Sequence, residues 1–149
     1  MRQIVNRRGF TLIEIIVTLV LMMIIMAVVA VGFTHSSPTA KLRAAVRELA
    51  ATMRYLKNMA QLKGQEQILT VDMDNGLIVY SNRTKSLPKG VNVVINDPNE
   101  GELTRGKWTV TFYSEGGSTG GEIKLFNGKH SFLVTIDPVV GSVITKNKE

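Results

Sequence analysis

The chain has 149 residues, 44% of them hydrophobic, with no cysteine and a formal net charge of +6. That apolar content is enough for a folded core and excludes wholesale disorder, and without cysteine there is no disulfide-stapled scaffold. A sequence pI of about 9.8 invites a nucleic-acid reading, which stands or falls on where the charge lies.

The charge is unevenly placed. Arg2, Arg7 and Arg8 occupy residues 1–9 with no acid among them. From Phe10 to Phe33 the only charge is Glu14. Residues 34–63 hold Lys41, Arg43, Arg47, Arg54, Lys57 and Lys63 against Glu48 alone. Residues 64–149 are nearly neutral, with nine Lys/Arg and ten Asp/Glu. A basic head and one basic segment beside a neutral C-terminal part argue against a compact nucleic-acid-binding domain.

The run from Phe10 to Phe33 is long enough, at about 1.5 Å per helical residue, to span a bilayer core. It lacks the polar face of a soluble surface helix. It also exceeds the 7–15 apolar residues usual in a cleaved secretory signal. The three arginines before it place the N-terminus in the cytoplasm. Glu14 is out of place in such a run, because an acid in the bilayer interior costs roughly 2.5–3.5 kcal/mol. It either snorkels to the headgroups or has a partner.

Arg7-Arg8-Gly9-Phe10-Thr11-Leu12-Ile13-Glu14 resembles the N-terminal signal of type IV pilins and type II secretion pseudopilins. The resemblance implies a basic leader over residues 1–9, cut between Gly9 and Phe10 by a prepilin peptidase on the cytoplasmic side. Glycine at the cut presents no side chain to the protease. The same resemblance implies methylation of the new Phe10 amine and retention of the apolar segment on the mature chain. It gives Glu14 a role in assembly: its carboxylate meets the amine of a neighbouring subunit, each charge lowering the other's burial cost.

Next in the chain, Leu42, Val46, Leu49, Met53, Leu56 and Ala60 recur at alternating spacings of four and three. They predict an amphipathic helix within residues 34–64, entered near Pro38 and stopped at Gly64. Arg43, Arg47 and Arg54 fall on an adjoining face. Three readings compete for them: a solvated face, contact with acidic neighbours or lipid headgroups, or phosphate contact.

From Gln65 the hydrophobic period becomes two. Ile68–Val71 and Leu77–Tyr80 flank Asp74-Asn75-Gly76, a hairpin signal. Further strands are expected at Val91–Ile95, Trp108–Tyr113, Ile123–Phe126, Ser131–Ile136 and within Val139–Ile144. About seven short strands predict a small sandwich or pair of sheets over residues 65–149, covered on one face by the amphipathic helix. The expected fold class is α+β, a long N-terminal helix on a mostly antiparallel sheet or sandwich. Gly116–Gly121 reads as a mobile loop, since no Lys-Ser/Thr of a phosphate loop follows it.

Phe112-Tyr113, Gly121–Leu125, Ile136-Asp137 and Gly141-Ser142-Val143 resemble the globular part of H-type (GspH/FimT-like) pseudopilins and minor pilins. The implied function is that of a minor pseudopilin, a structural subunit of the type II secretion pseudopilus that supports export across the outer membrane. The alternative is a minor pilin of a type IV pilus, with an assembly or DNA-uptake role. The implied partners are the prepilin peptidase, other major and minor pseudopilins and the inner-membrane assembly platform. The implied location is the inner membrane, single-pass, with the C-terminal domain periplasmic. No catalytic residue, metal site or cofactor is expected. Asp72–Gly76 has its glycine one place too early for an EF-hand, and His35 and His130 stand alone without cysteine to complete a zinc set.

Overall fold

A computed structural model describes residues 10–33, 38–128 and 130–148. The chain divides into two compact units, residues 1–36 and 37–149.

The described residues of the first unit form the helix α1, Leu12–Phe33. Thr11 starts it. The Glu14 N–H donates to both the Thr11 carbonyl (3.1 Å) and its Oγ1 (3.3 Å), and Ile15 N–H donates to the same carbonyl (3.3 Å). Threonine is thus the N-cap and Glu14 the third helical residue, the spacing of a capping box.

The second unit begins with α2, Pro38–Lys63. Proline suits a first helical turn because its missing N–H would have no intrahelical partner there. Gly64 ends the helix at φ +63°, and Gln65 N–H reaches back to the Ala60 carbonyl at 3.2 Å. This is a Schellman closure, and it needs a residue that adopts the left-handed conformation cheaply. All six residues of the apolar stripe are buried, with Ala45 and Ala50 beside them.

Among the described residues nine strands follow, two more than the period-two runs predict. They are β1 Gln67–Asp72, β2 Leu77–Tyr80, β3 Arg83–Ser86, β4 Asn92–Asp97, β5 Gly101–Leu103, β6 Lys107–Phe112, β7 Gly121–Phe126, β8 Ser131–Ile136 and β9 Val143–Lys148. Every pairing is antiparallel. One sheet has the order β3-β2-β1-β6 and the other β5-β4-β7-β8-β9. The two additional strands, β3 and β5, are both edges. β3 is exposed at all four positions, so no apolar alternation marks it. Its turn, Ser81-Asn82, has φ +43° and +62°, the mirror-image geometry that matches strand twist in two-residue hairpins.

The inward residues of both sheets join the buried face of α2 in one core. α2 lies against β1 and β6 of the first sheet and β7, β8 and β9 of the second. Phe112, Leu42, Met53, Leu56, Leu69, Ile95, Ile123 and Leu125 are fully buried, each contributing on the order of 1.5–3 kcal/mol relative to exposure. Trp108 of β6 ties the two sheets: its Nε1–H donates to Asp97 Oδ2 of β4 at 2.7 Å.

Candidate processing and assembly site

Gly9 lies outside the described residues. Phe10 precedes α1 and is 79% exposed. Glu14 sits in the first turn, where a negative charge opposes the positive end of the helix dipole. Its side chain is exposed. A carboxylate one turn from the start of an apolar helix can be reached by an ammonium group from outside the chain.

Around it, the large apolar side chains from Leu12 to Val28 are all exposed, from 44% at Val20 to 79% at Leu12. They surround the helix instead of lying on one stripe. So much apolar surface marks a helix made for lipid or for other helices. Among the described residues no helix is long and apolar enough to cross a membrane.

On α2 the three arginines part company. Arg54 Nη2 donates to the Val143 carbonyl at 3.0 Å, bracing the start of the edge strand β9. Arg43 and Arg47 are exposed and line a shallow recess with Thr39, Ala40 and Ala44. Periodicity alone had grouped all three on one face. Only the position of β9 separates them.

Elsewhere the polar groups are engaged in structure. Asp72 holds the first hairpin loop: its oxygens accept Asn75 N–H and Nδ2–H, each at 3.0 Å. The Asn75 side-chain bond, then its backbone bond, keep the Asp72 carboxyl below its ordinary value, with Lys107 helping. Asp74 accepts Gly106 N–H at 3.1 Å. Asp97 is lowered chiefly by the Trp108 indole and then by the Asn99 N–H. Lys85 is raised, mainly by its bond to Glu48, which links β3 to α2. Among the described residues no group of three or more His, Cys, Asp or Glu side chains could hold a metal ion.

The glycine-rich segment corrects the expectation of a mobile loop. Ser118 N–H bonds the Pro138 carbonyl and Ser118 Oγ the Asp137 carbonyl, both at 2.9 Å. Thr119 N–H bonds the Thr111 carbonyl at 3.0 Å. The glycines serve close approach: a Cβ on Gly121 would stand 2.7 Å from Trp108 Cζ2.

A capped apolar helix, and an amphipathic helix lying on two antiparallel sheets, define a pilin-like α+β subunit. A family model described as the prokaryotic N-terminal methylation motif matches residues 4–30. A second, described as Type II transport protein GspH, matches residues 45–139, more than half the chain. The chain belongs to the GspH family of type II transport proteins. Its fold is similar to that of the minor pseudopilin EpsH from the type 2 secretion system of Vibrio cholerae. That match has a TM-score of 0.58 at 15% identity and covers 72% of this chain and 97% of the other. A search of the curated proteins finds no match.

Proposed function

We propose that the chain is a minor pseudopilin, a structural subunit of a type II secretion pseudopilus that supports export across the outer membrane. The observation that carries this reading is the GspH match over residues 45–139, on the same chain as the methylation motif at residues 4–30. The likeness of fold to EpsH supports it.

In this reading residues 1–9 are a leader that a prepilin peptidase removes by hydrolysing the Gly9–Phe10 peptide bond at the cytoplasmic face. The Phe10 amine is then methylated. The mature chain is held in the inner membrane by the Phe10–Phe33 segment, a single span with the globular unit in the periplasm. The inner-membrane assembly platform draws it into a filament beside other major and minor pseudopilins. No step of this needs a catalytic group of its own.

Glu14 is the recruiting residue. In an apolar surround, its carboxylate gains more from a neighbour's ammonium than it would in water, and the pair fixes the axial register of two helices. The test has two readouts on the full chain in its native cells. N-terminal sequencing of the mature protein is expected to begin at Phe10. A Glu14→Ala variant is expected to insert and be cleaved but to lose copurification with the other filament subunits. A mature start at Val31, or undiminished copurification of the variant, would overturn the cleavage and the recruitment roles respectively.

A further inference from the structure

Two threonines of the apolar segment use their hydroxyls in opposite ways. Thr18 Oγ1 donates to the Ile15 carbonyl at 2.9 Å, the ordinary back-bond of a threonine inside a helix. Thr11 Oγ1 accepts. It shares the Glu14 N–H with the Thr11 carbonyl, at 3.3 Å and 3.1 Å. That N–H is the one a longer helix would need. In an unbroken i→i−4 ladder, Glu14 N–H would go to the Phe10 carbonyl and Ile13 N–H to the Gly9 carbonyl. Here the Thr11 carbonyl is the first acceptor, and α1 begins at Leu12. Phe10 stands before the helix and is 79% exposed.

The consequence falls on the bond to the Phe10 nitrogen. Inside a helix a peptide carbonyl is bonded to an N–H and screened by side chains one turn away. A protease needs that carbonyl free, and it takes its substrate as an extended segment paired through the main chain. The sequence holds no proline before Pro38, so no residue on this side forbids the helix outright. Gly9 weakens a helix without ending it. In apolar surroundings an unbonded N–H is costly, so a helix start that loses its cap gains by running back to the next carbonyl. The Thr11 hydroxyl removes that gain.

We propose that Thr11 is a positioning residue for cleavage: by fixing the start of α1 at Leu12 it keeps Phe10 out of the helix and presents the Gly9–Phe10 bond extended to the peptidase. The step is a hydrolysis. Water adds at the Gly9 carbonyl carbon, the C–N bond breaks, and the pieces leave as the Gly9 carboxylate and the Phe10 ammonium. Thr11 touches none of the reacting atoms and acts through the Glu14 N–H. The proposal rests on the reading of residues 1–9 as a leader and adds what sets the substrate's shape at the cut.

The test is the rate at which the full-length, pulse-labelled chain is cut in its native cells, taken on precursor recovered in the membrane fraction. Thr11→Ala, which removes the cap, is expected to be cut roughly fivefold more slowly. Thr11→Ser keeps the acceptor, Thr18→Ala leaves the cap alone, and both are expected to stay within about twofold of the natural rate. Leu12→Pro supplies a different stop, because proline suits the first helical position and keeps the residue before it out of the helix. In the Leu12→Pro background, Thr11→Ala should therefore change the rate less than about twofold. Equal rates for Thr11→Ala and the natural chain overturn the proposal and leave the leader reading standing. Thr11→Ser as slow as Thr11→Ala overturns it too, since the hydroxyl would then be irrelevant. An undiminished loss in the Leu12→Pro background assigns the hydroxyl to direct contact with the peptidase and overturns the positioning role. A Leu12→Pro chain that is never cut also overturns it, because its helix starts where the proposal requires. A natural chain whose product does not begin at Phe10 overturns the leader reading, and this inference with it.

Discussion

Gly121 is the residue whose role depends most on distance. Its φ of +127° is open to glycine and strained for any L side chain, and its absent Cβ leaves room for the Trp108 ring. Gly121→Ala combines backbone strain with overpacking and is expected to cost about 3 kcal/mol. Trp108 is the sole tryptophan, so its emission during urea unfolding of the detergent-solubilised chain reads the loss directly. An unchanged midpoint would show that the ring shifts freely. Its partner Asp97 gives a pH dependence whose sign is fixed. Bonds from the Trp108 indole and the Asn99 N–H hold the folded-state carboxyl below its ordinary value. The stabilisation is complete above the unfolded pKa near 4 and is lost as pH falls through the lower folded value. Asp72 acts in the same direction, and Lys85 in the opposite one, its contribution fading only as pH rises past the usual lysine range. The urea midpoint is expected to fall between about pH 5 and pH 2. Asp97→Asn keeps an acceptor for the indole and removes the charge, so its midpoint should fall less steeply. Equal slopes would assign the acid sensitivity elsewhere.

Among the elements, α2 shows what periodicity can and cannot reveal. The spacing of Leu42, Val46, Leu49, Met53, Leu56 and Ala60 marks the buried face because burial follows the 3.6-residue repeat, and Gly64 marks the stop because few residues tolerate its φ. Asn75-Gly76 signalled the first hairpin for the same local reason. β3 was illegible because Arg83-Thr84-Lys85-Ser86 is an edge with no inward apolar residue, and Ser81-Asn82 lacks the glycine that usually announces its turn. The Gly116–Gly121 loop was misread because composition cannot distinguish glycines that confer freedom from glycines that permit contact. The arginines were likewise inseparable, since Arg54 differs from Arg43 and Arg47 only through the carbonyl of Val143, 89 positions away. That difference is measurable. Arg54→Ala leaves the carbonyl on the edge strand without its charged donor and is expected to cost about 1–2 kcal/mol. Arg47→Ala should stay within about 0.5 kcal/mol, as exposed substitutions usually do. Equal costs would mean the β9 brace contributes little.

For the molecule as a whole, the +6 resolves into parts with separate places in the chain. Three of those charges precede Phe10, and most of the remainder lies on α2, while the residues after it are nearly neutral. The mild overall hydropathy averages the bare apolar surface of α1 with an ordinary domain core. Residues 1–36 and 37–149 form separate compact units, and substitutions that share no contacts act independently. Processing and folding should therefore separate experimentally. Gly9→Val places a β-branched side chain beside the proposed scissile bond, at a position that belongs to the other unit of the chain from the globular one. The expected outcome is a chain that keeps Arg7 and Arg8, shows no N-terminus at Phe10 and does not enter the filament. Its urea midpoint, read by Trp108, should lie within about 0.5 kcal/mol of the natural protein. Export should fail even though the domain is intact, because the Phe10 ammonium that Glu14 of a neighbour would meet is never made. A variant that stayed uncleaved yet still joined the filament would show that the amine is dispensable. The register would then have to come from contacts between the globular units alone.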